Sequence, residues 1–133
     1  EFGATTGRRR RCGWLDTVVV RNAARLNGLT GLAVTKLDVL GGLKTLKICT
    51  AYQYKQDRLT EFPTDLKVLE QCEPVYEELP GWSDDITSAQ DINDLPENAR
   101  AYVNRIKELA ETPIQIISVG PGREHTIVLK DPF

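Results

Sequence analysis

Histidine is almost missing from this chain: His125 is the only one among 133 residues. Without a second imidazole, a histidine-based metal site or a catalytic triad has no material within this sequence. Cysteine is scarce as well. Cys12, Cys49 and Cys72 are odd in number, far apart and without a Cys-x-x-Cys pair. That argues against a disulfide framework and a zinc site, and it favours a reducing, cytoplasmic compartment. Long apolar runs are also lacking. Stretches such as Val18-Val19-Val20 and Ile116-Ile117 fall far short of the roughly 20 residues that span a bilayer, so no membrane partner is expected. Net charge is only −2, which excludes a molecule drawn as a whole to nucleic acid or to an anionic surface.

What is present is one domain's worth of chain, 41% hydrophobic and 27% charged, enough to bury a core. Leu15, Val18, Val19, Ala23 and Leu26 share one face of an expected helix over 14–26, with Arg21 and Arg25 opposite and Asn27-Gly28 as its stop. A short strand is expected over 29–35. A longer one over 43–54 alternates Leu46, Ile48, Thr50, Tyr52 and Tyr54 against Thr45, Lys47, Cys49, Ala51 and Gln53, and a turn at Gln56-Asp57 returns it through 59–62 as a hairpin. A helical turn follows within 63–71, a strand over 72–79, and a loop over 80–93 anchored by Trp82. A second helix is expected from Asp94, with Asp94 and Glu97 as a capping box, a stripe of Ala99, Tyr102, Val103, Ile106, Leu109 and Ala110, and Pro113 at its end. Strands over 114–119 and 126–129 flank a turn at Gly120-Pro121-Gly122. The class is α/β, with two main amphipathic helices. The chain opens inside an apparent functional loop with no element before it, the pattern expected of a piece of a longer protein.

Two cassettes carry chemistry. In Gly3-Ala4-Thr5-Thr6-Gly7-Arg8-Arg9-Arg10-Arg11, hydroxyls and backbone amides can form a nest for a carboxylate. Arg8 and Arg10, alternating on an extended segment, face one side and offer planar forks for bidentate contacts; Arg9 and Arg11 then point elsewhere. The same four arginines also fit a nuclear-import or RNA-contacting patch. Against that, no aromatic residues are interleaved for base stacking, and Gly3 to Gly7 has no purpose in an import signal.

In the second cassette, Thr35-Lys36-Leu37-Asp38 ends an apolar strand. Guanine carries two adjacent donors, N1–H and the 2-amino group, and one carboxylate accepts both; adenine has no such pair on that edge. Asp38 suits that role, with Lys36 laying its methylene stem over the base or reaching a ribose oxygen. Taken alone, Lys36 and Asp38 are equally two solvated residues beyond a strand. His125, the carboxylate pairs Asp84-Asp85 and Glu77-Glu78, and Trp14 and Trp82 read as surface or as anchors rather than as a site.

With both cassettes in place, the chain resembles the adenylosuccinate synthetase family. The matching stretches are 3–16, Val34-Thr35-Lys36-Leu37-Asp38-Val39-Leu40, Glu77-Glu78-Leu79-Pro80-Gly81-Trp82, Asp94-Leu95-Pro96-Glu97-Asn98-Ala99 and Ile117-Ser118-Val119-Gly120-Pro121-Gly122-Arg123. The resemblance runs in order along the chain and covers the C-terminal portion of a larger mixed-sheet, P-loop-like ligase fold. It implies a GTP-dependent ligase that joins L-aspartate to inosine monophosphate (IMP), a homodimer when complete, with magnesium bound by an N-terminal part that has no counterpart here.

By the same resemblance, Ala4, Thr5, Thr6, Gly7, Arg8 and Arg10 belong to the loop that closes over aspartate. Arg8 also reaches IMP, and Arg10 bridges towards GTP. Lys36, Leu37 and Asp38 read the guanine, and Ser118, Val119 and Gly120 wall its other side. No catalytic acid–base residue and no metal ligand falls within the chain, so it is expected to be inactive by itself. Three positions depart from the family's pattern: Val119 for a common threonine, Gly122 for a frequent aspartate, and Arg9 where some relatives carry proline. The alternative function is a non-catalytic GTP- or RNA-binding module that uses Arg8 to Arg11.

Overall fold

The structure is a computed structural model that describes residues 2–130. Two small sheets are built around a central strand and two helices. In the first, β3 (Thr45–Tyr54) pairs with β1 (Leu15–Asp16) in parallel, and with β4 (Asp57–Leu59) and β5 (Glu73–Pro80) in antiparallel fashion. In the second, β6 (Ile114–Ser118) lies between β2 (Leu32–Val34), parallel to it, and β7 (Thr126–Val128), antiparallel. The helices are α1 (Thr17–Asn27), the short α2 (Leu66–Leu69) and α3 (Glu97–Ala110). The mixed α/β class, the hairpin and the two main helices agree with the sequence reading.

The first helix starts later than expected. Leu15 and Asp16 are strand, and Asp16 caps α1: its Oδ1 accepts from the amides of Val18 at 2.9 Å and Val19 at 3.1 Å. The buried face is Thr17, Val18 and Ala24, while Leu26 is 78% exposed and Val19 is exposed too. The expected stripe is therefore rotated. Arg21 donates to the carbonyls of Leu109 and Thr60, turning inward to tie α1 to α3 and to the segment after β4. Arg25 lies outside, paired with Glu61 and Glu111.

A bulge in β3 corrects the simple alternation. Cys49 pairs with Tyr76 and Ala51 with Val75, leaving Thr50 as an extra residue. Before it, Leu46 and Ile48 face the main core. After it the parity flips, so Tyr52 leaves that face and joins Cys49 and Val18 in a second cluster. There the Tyr52 hydroxyl donates to Asp16 Oδ2 at 2.5 Å, and Thr17 Oγ1 donates to the Cys49 carbonyl at 2.7 Å.

The second helix begins at Glu97, not at Asp94. Pro96 forces Leu95 into extended geometry (φ −74°, ψ 143°), so no helix can run through from Asp94. Asp94 instead closes a tight turn with Asp91, its Oδ2 accepting from the amides of Gln90 and Asp91. The buried stripe of α3 is Ala99, Tyr102, Val103, Ile106 and Ala110, close to expectation. It packs with Leu37, Ile117, Val119 and Ile127 in the main core, beside Trp82, which is buried against Tyr102.

Candidate nucleotide and anion site

Strands β2 and β6 are adjacent and parallel, so the segments leaving their carboxyl ends emerge side by side. This is where an open α/β sheet presents its ligand crevice. Those segments are 35–38 and 118–120. The Leu37 amide donates to the Ser118 carbonyl at 3.2 Å, locking one segment to the other.

Local geometry explains what each residue offers. Lys36 takes the left-handed conformation at φ 59°, uncommon for a side chain this long, and this swings the chain from β2 into a tight turn over Asp38–Leu40. Leu37 is fully buried and serves as the anchor. Asp38 heads the turn, half-buried, and its carboxylate has no hydrogen-bond or ion-pair partner among the described residues. Opposite, Val119 is fully buried and Gly120 is buried beside it, with the Val119 N–H donated to the His125 carbonyl at 2.8 Å. The Ser118 hydroxyl donates to the Gly120 carbonyl at 3.0 Å. Valine in place of threonine at 119 therefore alters the core rather than the open face.

The arginine cassette is a loop held by its own backbone. Gly3 N–H donates to the Arg8 carbonyl at 2.8 Å, Gly7 N–H donates to the Gly3 carbonyl at 2.9 Å, and Phe2 bridges to Arg9. Ala4, Thr5 and Thr6 form the turn, and Gly7 sits at φ 63°, where any side chain would be strained. Thr6 Oγ1 accepts from the Arg8 amide at 3.4 Å. Gly3, Thr6 and all four arginines line one open polar depression of about 500 Å³. That corrects the expected split, because Arg9 and Arg11 border the same depression as Arg8 and Arg10.

The segment that follows the arginines shares walls with the second cassette and the turn beyond it. Leu15, just beyond the arginines, lines an apolar cavity of about 290 Å³ together with Thr35, Leu37 and Leu40. Cys12, Gly13 and Trp14 border a second hollow with Leu40 and Leu43. Among the described residues, no group of three or more His, Cys, Asp and Glu side chains lies close enough to hold a metal ion.

His125 is the residue that sequence reasoning undervalued. It is half-buried rather than plain surface, and its Nδ1 accepts from the Gly122 amide at 3.0 Å. Its only signal in the sequence was its place after Gly120-Pro121-Gly122.

The sequence profile of the family described as adenylosuccinate synthetase matches residues 1–127. The chain belongs to that family. Over all 133 residues it is 65% identical to adenylosuccinate synthetase of Desulfatibacillum aliphaticivorans and 61% identical to that of Moorella thermoacetica. It spans 31% of the length of each of these relatives. A solved structure of fully ligated adenylosuccinate synthetase from Plasmodium falciparum matches with a TM-score of 0.91 at 40% identity, covering 98% of this chain and 32% of that one. The fold is thus that of the corresponding part of an adenylosuccinate synthetase. No helix among the described residues is long and apolar enough to cross a membrane.

Proposed function

We propose that this chain supplies guanine recognition and aspartate capture to a GTP-dependent ligase that makes adenylosuccinate from IMP and L-aspartate, a step in purine biosynthesis. The observation that carries the reading is the meeting of 35–38 with 118–120 at the carboxyl ends of β2 and β6, joined by the Leu37–Ser118 hydrogen bond. A half-buried carboxylate with no partner among the described residues complements the two donors of guanine. Lys36 covers the base or its ribose, Leu37 anchors the turn, and Ser118, Val119 and Gly120 bound the opposite side.

Ala4, Thr5, Thr6 and Gly7 present amides and hydroxyls to the aspartate carboxylates. Arg8 holds that substrate and reaches IMP, and Arg10 reaches towards GTP. In the reaction, the γ-phosphoryl group of GTP passes to the purine 6-oxygen, and the aspartate amine then displaces it as inorganic phosphate. This segment contributes positioning and charge compensation to both steps. It contains no assigned acid or base, so it has no ligase activity alone. Its three free thiols suit a reducing cytoplasm. The complete protein is a homodimer in this reading, and magnesium is held outside this segment.

The test uses a protein of the relatives' full length that carries this segment. Steady-state kinetics with GTP, IMP and aspartate should assign Asp38 substitutions to the GTP terms and Arg8 substitutions to the aspartate terms. If neither substitution separates the substrates in this way, the reading fails.

A further inference from the structure

The stretch opposite Asp38 is held in place by residue 125, through its backbone and its imidazole. His125 touches the 119–122 backbone in four ways. Its Nδ1 accepts from Gly122 N–H at 3.0 Å, its carbonyl accepts from Val119 N–H at 2.8 Å, and its own amide donates to the Gly122 carbonyl at 3.1 Å. The ring also lies flat against Gly120: a Cβ added there would come within 2.4 Å of Nδ1. Because Nδ1 is an acceptor, the ring hydrogen sits on Nε2, the atom 3.7 Å from Glu124 Oε1. Two of these contacts use only the backbone of residue 125. The other two, the Gly122 hydrogen bond and the packing on Gly120, depend on the side chain.

We propose that His125 is a positioning residue for the guanine nucleotide, holding the Ser118–Gly120 backbone against the Leu37–Asp38 turn through its bond to Gly122 and its contact with Gly120. This rests on the guanine reading above. The chain of contacts is continuous: imidazole to Gly120 and Gly122, the Ser118 hydroxyl to the Gly120 carbonyl, and the Ser118 carbonyl to the Leu37 amide. Releasing the imidazole frees the loop end of that chain. Nothing in the contacts reaches the arginine cassette, so the effect is specific to one substrate.

The experiment uses the full-length protein with single variants at 122 and 125, one double variant and Asp38→Asn as a control. Loss of one partly buried hydrogen bond weakens binding about three- to tenfold. His125→Ala is therefore expected to raise the GTP KM by that factor, leaving kcat and the KM values for IMP and aspartate within about twofold. His125→Asn places an amide oxygen where Nδ1 stood and restores most of the GTP KM. Gly122→Pro deletes the donor at a φ of −83°, which a proline ring tolerates. It reproduces the His125→Ala effect, whereas Gly122→Ala, which keeps the N–H, does not. An alanine at 122 displaces only the exposed end of Glu124, whereas a proline also sets its Cδ where the N–H pointed, against His125 Nδ1, and so pushes the ring away. The double variant His125→Ala/Gly122→Pro is no worse than either single one, because both remove the same bond.

The proposal is overturned if Asn fails to rescue, if the two single effects multiply, or if all three KM values rise together. Should His125→Ala not fold, Gly122→Pro, which displaces the ring, against Gly122→Ala, which leaves it in place, decides the question: equal effects contradict the proposal. Asp38→Asn run in parallel separates the two levels. A GTP KM that responds to Asp38 but not to His125 or Gly122 removes the positioning role alone, and one insensitive to Asp38 removes the guanine reading and this inference with it.

Discussion

The amide of Leu37 and the carbonyl of Ser118 lie 3.2 Å apart and hydrogen-bonded, although the residues are far separated along the chain. That bond ties the turn beyond β2, just after the backbone goes left-handed at Lys36, to the last residue of β6. It fixes the orientation of the Asp38 turn relative to the Val119–Gly120 backbone before any ligand arrives. In the proposed reading, pre-set geometry of this kind would let two hydrogen bonds to one carboxylate discriminate between purines at little ordering cost.

Arg8→Lys in the full-length protein is expected to raise the aspartate KM by about tenfold or more. A lysine ammonium cannot reproduce the planar bidentate fork. The same variant separates this account from an RNA-binding role, which tolerates lysine and predicts steeply salt-dependent RNA affinity. RNA binding that is strong at low salt and unchanged by Arg8→Lys contradicts the assignment of the loop to aspartate.

Tyr52→Phe removes the 2.5 Å hydrogen bond to Asp16 while leaving the Asp16 cap of α1 in place. A hydrogen bond to a charged group contributes about 1.5–3 kcal/mol, and partial exposure puts this one at the lower end. Burial and the Asp16 charge both push the Tyr52 hydroxyl well above the ordinary tyrosine range, so it stays a donor throughout the working pH range. Urea unfolding should show a lower midpoint with an unchanged slope. Asp16→Ala, which loses the cap as well, should cost more than Tyr52→Phe.

Arg105 grips Glu77 with two bonds, Nε to Oε1 at 2.7 Å and Nη2 to Oε2 at 2.8 Å, and so ties α3 to β5. The hydrogen bonds to Arg105 hold the Glu77 carboxyl below its ordinary value. A carboxyl lowered on folding adds stability that is complete above the unfolded-state value and is lost as pH falls through the folded one. Glu77→Gln should therefore flatten the acid limb of the stability curve and change little at neutral pH beyond roughly 1 kcal/mol, since the pair is about one-third exposed. An unchanged acid limb refutes the coupling.

Cys12 is exposed and Cys49 is buried, with its thiol pushed up by burial and by the Asp16 charge. A thiol-specific alkylating reagent should modify Cys12 in the native protein and Cys49 only after unfolding. Mass mapping of the labelled peptides gives the order directly. Early labelling of Cys49 contradicts the packing of the second core cluster.

Much of this fold was legible in the chain because pattern and punctuation agree along most of it. The α3 stripe, the β3–β4 hairpin and the Trp82 anchor follow from periodicity and turn residues alone. The failures have local causes. Leu15 and Asp16 continue the apolar run into α1, so nothing in the pattern separates a two-residue strand from a first helical turn; the strand exists because β3 lies beside it. The Thr50 bulge shows only in pairing with Val75 and Tyr76, which no single-strand pattern contains. Asp94 looked like a cap because the box motif fits, but Pro96 outweighs it.

The cassettes were legible as chemistry, yet the meeting of 35–38 with 118–120 depends on the parallel pairing of β2 with β6. His125 was missed for a related reason. The positioning role proposed for it comes from what Gly120 and Gly122 place against it, and a lone histidine carries no spacing signal.

The most direct measurement is nucleotide preference of the full-length protein with Asp38→Asn. An asparagine amide donates where aspartate accepted, and it meets the 2-oxo group of xanthine. The account predicts that kcat/KM for GTP falls by about 100-fold or more while that for XTP rises, reversing the preference. An Asp38→Asn enzyme that keeps its full preference for GTP over XTP contradicts it.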